Sequence, residues 1–135
     1  MRRLEEVFAS LDLKPKGKHC PAMAGILEKG GELLEKEGDE SVLDAAFIAG
    51  CQRVEHYEIT AYGTLMAWPK TLGYTDALNL LQVNEREEKA ADMKLSKIAE
   101  SPVNPEAAAA GEGDEEEDEV EAEAVAVTTG RGRKR

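Results

Sequence analysis

Gln52-Arg53-Val54-Glu55-His56-Tyr57-Glu58-Ile59-Thr60-Ala61-Tyr62-Gly63-Thr64-Leu65 is the stretch on which the fold of this chain turns. Placed on a helix, Ala45, Ile48, Ala49, Gln52, Glu55, Ile59, Tyr62 and Met66 line up on one stripe at spacings of three and four. An amphipathic helix keeps its charges on the solvent side. Here Glu55 stands inside the apolar stripe, with Gln52 one turn before it and Tyr62 two turns after. Glu58, three residues on, shares its face. Ser41 with Asp44 predicts the start as a capping box, with Asp a shorter reach than Glu. Pro69 predicts its end or a kink.

The next helix has the same anomaly. It is predicted from about Asp76 to Ala99, with Thr75 as N-cap and Leu72 to Thr75 as the connection. Its stripe is Ala77, Leu78, Leu81, Asn84, Glu88, Ala91, Leu95 and Ile98, followed by Pro102 and Pro105. Glu88 lies mid-stripe and Asp92 follows one turn later. Two shorter helices precede the pair. Residues 2–13 carry Leu4, Val7, Phe8 and Leu11 on one face, with no cap or turn before them, and a basic loop from Lys14 to His19 follows. Pro21 suits a first helical turn. Met23, Ile26, Leu27, Leu33 and Leu34 then give a looser apolar face, with Gly38 predicted as its C-terminal cap. No segment reads as a strand; Val125 to Thr129 is too short and isolated to pair. The expected fold is all-α, with two long antiparallel helices at its centre.

A carboxylate is almost never buried unless it is paired or bound to a metal. Two facing helices that each turn a Glu and a second acidic group inward make an oxygen-rich pocket of the kind iron or manganese takes. Glu55, Glu58, Glu88 and Asp92 are the candidate ligands. His56 flanks the stripe as a third ligand or an orienting neighbour, and Tyr62 and Gln52 are placed to hydrogen-bond a ligand oxygen. The bland alternative pairs Glu55 and Glu58 with Arg53 or Arg86, and Glu88 with Lys89 or Lys94. Cys20 and Cys51 read as small buried residues, and His19-Cys20 has no partner spacing for zinc.

The run from Gln52 to Leu65 resembles the signature of the YciE/YciF ferritin-like family. So do Glu87-Glu88-Lys89-Ala90-Ala91-Asp92-Met93-Lys94-Leu95, Arg3-Leu4-Glu5-Glu6-Val7-Phe8, the loop through Cys20, and Met23-Ala24-Gly25-Ile26. The resemblance covers roughly residues 2–99. It implies a four-helix ferritin-like bundle, often dimeric, tied to bacterial stress responses and regarded as ferroxidase-like, with a di-iron or di-manganese centre. By position it makes Glu55 and Glu88 the leading ligands, with Glu58 and Asp92 as second ligands from the same helices. The family's first helix and most of its second, which carry the other half of the ligands, would precede Arg2. Glu85 stands where the family is apolar, and Pro69 interrupts the end of the third helix.

Three expectations follow. One is a stress-associated protein that binds iron or manganese through inward carboxylates, with ferroxidase chemistry if the site is complete. A homodimer would complete it: a two-fold axis brings Glu55, Glu58, Glu88 and Asp92 of both chains around one centre, and covers the apolar stripe that a lone hairpin exposes. The second is a truncated product without a complete site. The third is a non-catalytic helical interaction protein.

Charge and composition set the outer limits. Of 135 residues, 28 are acidic and 17 basic, for a net charge of -11. Residues 106–135 hold 10 of the acidic and 4 of the basic side chains and lack Phe, Trp, Tyr, Leu, Ile and Met. The division expected is a helical domain over 1–100 and a disordered acidic tail with a basic end over 101–135. An acidic folded part makes nucleic acid an unlikely partner, since binding it needs clustered Lys and Arg. No apolar run approaches the ~20 residues of a membrane helix, and the N-terminus lacks the apolar region of a secretory signal. With two cysteines and no Cys-x-x-Cys pair, a cytoplasmic location is expected.

Overall fold

In the computed structural model, residues 2–111 are described. Four α-helices succeed one another: α1 (Arg2–Ser10), α2 (Pro21–Leu34), α3 (Glu40–Leu72) and α4 (Thr75–Ile98). No strand occurs among the described residues, and the all-α expectation holds. At 1.5 Å per residue, the 33 residues of α3 span about 50 Å. Only two residues separate α3 from α4, so the two run antiparallel as a hairpin. α1 packs on α4 and α2 on α3.

The helix ends correct several expectations. Asp39, not Ser41, caps α3: its carboxylate accepts from the backbone N–H groups of Ser41 at 2.9 Å and Val42 at 3.3 Å. Asp39 sits one residue before the first helical turn, where its oxygen reaches two otherwise unpaired N–H groups. The Ser41 hydroxyl donates to the same carboxylate. Pro69 does not end α3, which continues to Leu72 with Pro69 buried inside it. The last turn is closed instead by Gly73, in left-handed conformation at φ 77°, and the Tyr74 N–H donates to the Pro69 carbonyl at 2.9 Å. Only glycine takes that backbone without a Cβ penalty. Tyr74 takes the N-cap position of α4 that Thr75 was expected to fill, and Thr75 is already helical. α1 stops at Ser10 rather than at residue 13. Asp12 turns to φ 56°, and the Leu13 N–H returns to the Phe8 carbonyl at 2.9 Å. α2 ends with Glu35 as its cap, so Gly38 lies in the following loop.

The buried side chains gather along the hairpin. Ile48, Pro69, Ala77 and Leu81 are its buried apolar members, and Asn84 is a buried polar one. Between α1 and the closed end of the hairpin lies an apolar cavity of about 310 Å³, lined by Val7, Phe8, Leu65, Trp68, Leu72 and Leu81 among others. On α2, Met23, Ile26 and Leu33 turn inward, whereas Leu27 and Leu34 are exposed. Gly30 and Gly31 leave α2 without side chains to widen its apolar face, and only its narrower side reaches α3. Beyond α4 the chain turns at Ala99–Val103 around Pro102, with Ser101 extended, and residues 104–111 are helical again. Helix therefore extends past residue 100, where the tail was expected to begin. The acidic block and basic end expected over 112–135 lie outside the described residues.

Candidate metal centre

The antiparallel register of α3 and α4 brings their inward carboxylates to one level. Glu55 and Glu58 project from consecutive turns of α3, and Glu88 meets them from α4. One oxygen from each lies within 4.8 Å of the other two, and all three residues are half-buried. Glu55 Oε2 is buried without a hydrogen-bond partner. No lysine or arginine among the described residues forms an ion pair with the three. The pairing expected as the bland alternative is absent there: Lys89 goes to Glu85 at 2.9 Å, and Arg86 Nε donates to the Gln82 carbonyl at 3.2 Å.

The electrostatics follow from this crowding. Burial pushes the Glu88 carboxyl above the usual carboxylate range; the neighbouring Glu55 pushes it further, and Arg3 pulls it back. Burial also raises Glu58, with the charge of Glu88 adding to the effect. Tyr62 borders the group: burial raises its hydroxyl, and the nearby Glu58 and Glu88 raise it again. Like charges held this close resist joint ionisation. A cation supplied to the group relieves both the repulsion and the unpaired oxygen.

The remaining predicted residues fall around this group. Asp92 stands one turn from Glu88 and is not drawn into the three-carboxylate group. Its Oδ1 takes a hydrogen bond from Gln52 Nε2 at 3.2 Å, and His56 Nε2 lies 3.2 Å away from it. Gln52 also donates to Ser96 Oγ at 3.0 Å. His56 is mostly exposed. Tyr57 does not face the site; its hydroxyl and Cys20 Sγ lie 2.9 Å apart, which ties the start of α2 to α3. That contact, with backbone N–H groups at the start of α2, draws the Cys20 thiol down. Cys20 and Cys51 are both free thiols, half-buried. Glu85 lies over Gly63 of α3, where a Cβ would come within 3.8 Å of its carboxylate.

Sequence reasoning did not find Arg3. Its guanidinium grips Glu87 through two bonds of 2.8 Å and donates to Asn84 inside the α1–α4 contact. Asn84 alone gave a signal, as a polar residue in the apolar stripe; nothing in the sequence pairs positions more than 80 residues apart.

A helical hairpin whose two arms each turn glutamate inward to one shared group defines a ferritin-like carboxylate protein. The chain belongs to the family described as Domain of unknown function (DUF892), whose profile matches residues 1–108 and which lies in the ferritin-like superfamily. Among its relatives, Protein YciF of Escherichia coli strain K12 is 44% identical over 108 residues, 79% of this chain and 65% of that protein. The crystal structure of the E. coli stress protein YciF superposes with a TM-score of 0.72, covering 76% of this chain and 65% of that one. A second structure is YcfI, described as a putative structural protein from Rhodopseudomonas palustris. It is 47% identical, with a TM-score of 0.67, and the match covers 70% of this chain and 60% of that one. The chain thus spans somewhat less than two thirds of the length of these relatives. No helix among the described residues is long and apolar enough to cross a membrane.

Proposed function

We propose that this protein binds iron or manganese through Glu55, Glu58 and Glu88, as a stress-associated protein of the ferritin-like kind. The observation that carries this is Glu55 Oε2: a buried carboxylate oxygen without a hydrogen-bond partner, among three carboxylates that have no basic partner among the described residues. The donor set fits the group, since hard carboxylate oxygens suit these cations. Iron bound there would supply one-electron redox chemistry, which is the basis for ferroxidase activity as part of the proposal.

The chain's own residues do the rest. Glu55, Glu58 and Glu88 present the oxygens that would hold the cation. Tyr62 closes one side of the group. Gln52 fixes Asp92 at the next turn, where it serves as a further oxygen ligand if its hydrogen bonds are exchanged. The homodimer belongs to the same proposal: Trp68, Leu72, Met93 and Ile98 remain exposed on the hairpin, and a second copy would cover them.

Anaerobic titration of the purified chain with Mn(II) and Fe(II), read by calorimetry and metal content, tests the site. Saturable binding that Glu55→Gln abolishes supports it, and iron-dependent oxygen uptake by the loaded protein extends it to ferroxidase activity. A wild type that retains no more metal than Glu55→Gln ends the proposal. Sedimentation with and without metal tests the dimer; a monomer in both removes that part.

A further inference from the structure

Among the features outside the carboxylate group, the contact between α1 and α4 reaches furthest. Arg3 is the one side chain of α1 that makes directed bonds to α4 among the described residues. It spends both nitrogens of its fork on Glu87 and donates from Nη1 to Asn84 as well. Asn84 is 6% exposed, one turn before Glu88 on the same face of α4. Glu87 is the residue next to Glu88 in sequence, and it is held outward by Arg3. The cleft between α1 and α4 joins the two regions, since Arg3, Tyr62, Asn84, Glu87 and Glu88 all line it.

We propose that Arg3 is a positioning residue for the carboxylate site: by clamping Glu87 outside and Asn84 inside, it fixes the turn of α4 that carries Glu88 beside Tyr62. Without Arg3, Asn84 keeps a buried carbonyl oxygen without its donor. Glu87 is then a free carboxylate one residue from Glu88, able to turn toward the cleft. The fork is what the geometry uses. A lysine brings one compact charge and cannot hold both oxygens of Glu87 while donating to Asn84. Groups that orient metal ligands from outside change metal affinity by 10–100-fold when removed.

The inference rests on the cation-binding reading, and the test separates the two. Arg3→Gln, Arg3→Lys and Glu87→Gln are made in the full chain. Amide hydrogen exchange over residues 84–90 is followed in metal-free protein, and Mn(II) affinity is measured alongside. Arg3→Gln is expected to speed exchange over 84–90 and to weaken Mn(II) binding roughly tenfold. Arg3→Lys stays several-fold weaker than wild type, and Glu87→Gln, which leaves Asn84 its donor, falls between. Glu87→Gln also serves if Arg3→Gln fails to fold. Unchanged exchange, unchanged affinity in Arg3→Gln, or full recovery in Arg3→Lys overturns the inference. If the wild type binds no Mn(II), the cation reading fails and the exchange measurement alone decides the role of Arg3.

Discussion

Gln52 Nε2 donates to Asp92 Oδ1 at 3.2 Å, and so holds Asp92 one turn away from the group that Glu88 joins. The same oxygen faces His56 Nε2 at 3.2 Å. Asp92 thus has an oxygen engaged by neighbours, whereas Glu55 has an oxygen with none. The four candidate ligands are therefore unequal. Glu55→Gln, Glu58→Gln and Glu88→Gln are each expected to weaken Mn(II) binding about 100-fold or more. Asp92→Asn is expected to cost about tenfold, at the low end of the range of a group that acts from outside. Calorimetric titration of the four variants measures the difference. Equal losses at all four positions would show that Asp92 leaves Gln52 to join the cation.

The raised carboxyls give the metal-free protein a distinctive pH dependence. Glu58 and Glu88 both lie above their ordinary value of 4.5, first through burial and then through neighbouring carboxylates. Such a group binds its proton more tightly in the folded state. Its stabilising contribution is complete below about pH 4.5 and is lost as pH rises through the raised folded-state value. Glu87, lowered by Arg3, and Asp39, lowered by Ser41 and the start of α3, act in the opposite sense and lose their contribution as the pH falls. Glu58→Gln is therefore expected to raise the melting temperature of metal-free protein at pH 7 by roughly 2–5 °C, and to leave it unchanged near pH 4. Saturating Mn(II) should reverse the order at pH 7, because the wild type gains binding energy that the variant lacks. Melting curves at the two pH values, with and without metal, show whether both signs hold.

The hairpin was legible because α3 and α4 are long and their stripes keep helical phase over six or more turns. The carboxylates were legible for the same reason, as charges at inward phase. What failed was short-range. The capping box at Ser41 and Asp44 was a pattern match, but Asp39 stands one position better placed to reach two N–H groups. Pro69 looks like a stop in sequence. In the structure it occupies the last turns, and its carbonyl serves the Gly73 and Tyr74 closure. On α2, Leu27 and Leu34 were read as inward; a narrow helix with two glycines has too little apolar surface to fix its phase. The Arg3 clamp was beyond reach because α1 and α4 meet only in three dimensions.

The helix ends offer a direct check of which residues cap α3. Asp39→Ala removes the acceptor for two N–H groups and is expected to cost about 1 kcal/mol. Asp44→Ala, at the position first expected to complete the cap, should change stability by less than about 0.5 kcal/mol, since Asp44 is exposed. Gly73→Ala places a Cβ on backbone at φ 77° and should cost about 1 kcal/mol or more, although nothing lies within 4 Å to clash with it. Urea denaturation of the three variants ranks them. A larger loss at Asp44 than at Asp39 would return the cap to Ser41 and Asp44.

The last prediction compares leucines on the two sides of the hairpin. Leu81 is 5% exposed and lies where α4 meets both α3 and the cavity beneath α1. Its truncation to Ala removes buried methyl groups and enlarges a space that already exists, so the walls have little reason to collapse inward. A loss of about 2–4 kcal/mol is expected. Leu27 is 58% exposed on α2, and its truncation should cost less than about 0.5 kcal/mol. The contrast discriminates between two phases of α2. If Leu27→Ala proves as costly as Leu81→Ala in metal-free protein at low concentration, then α2 presents Leu27 inward, as its looser apolar face suggested. If the cost of Leu27→Ala appears only as the protein concentration rises, the side chain is buried between two copies of the chain rather than within one.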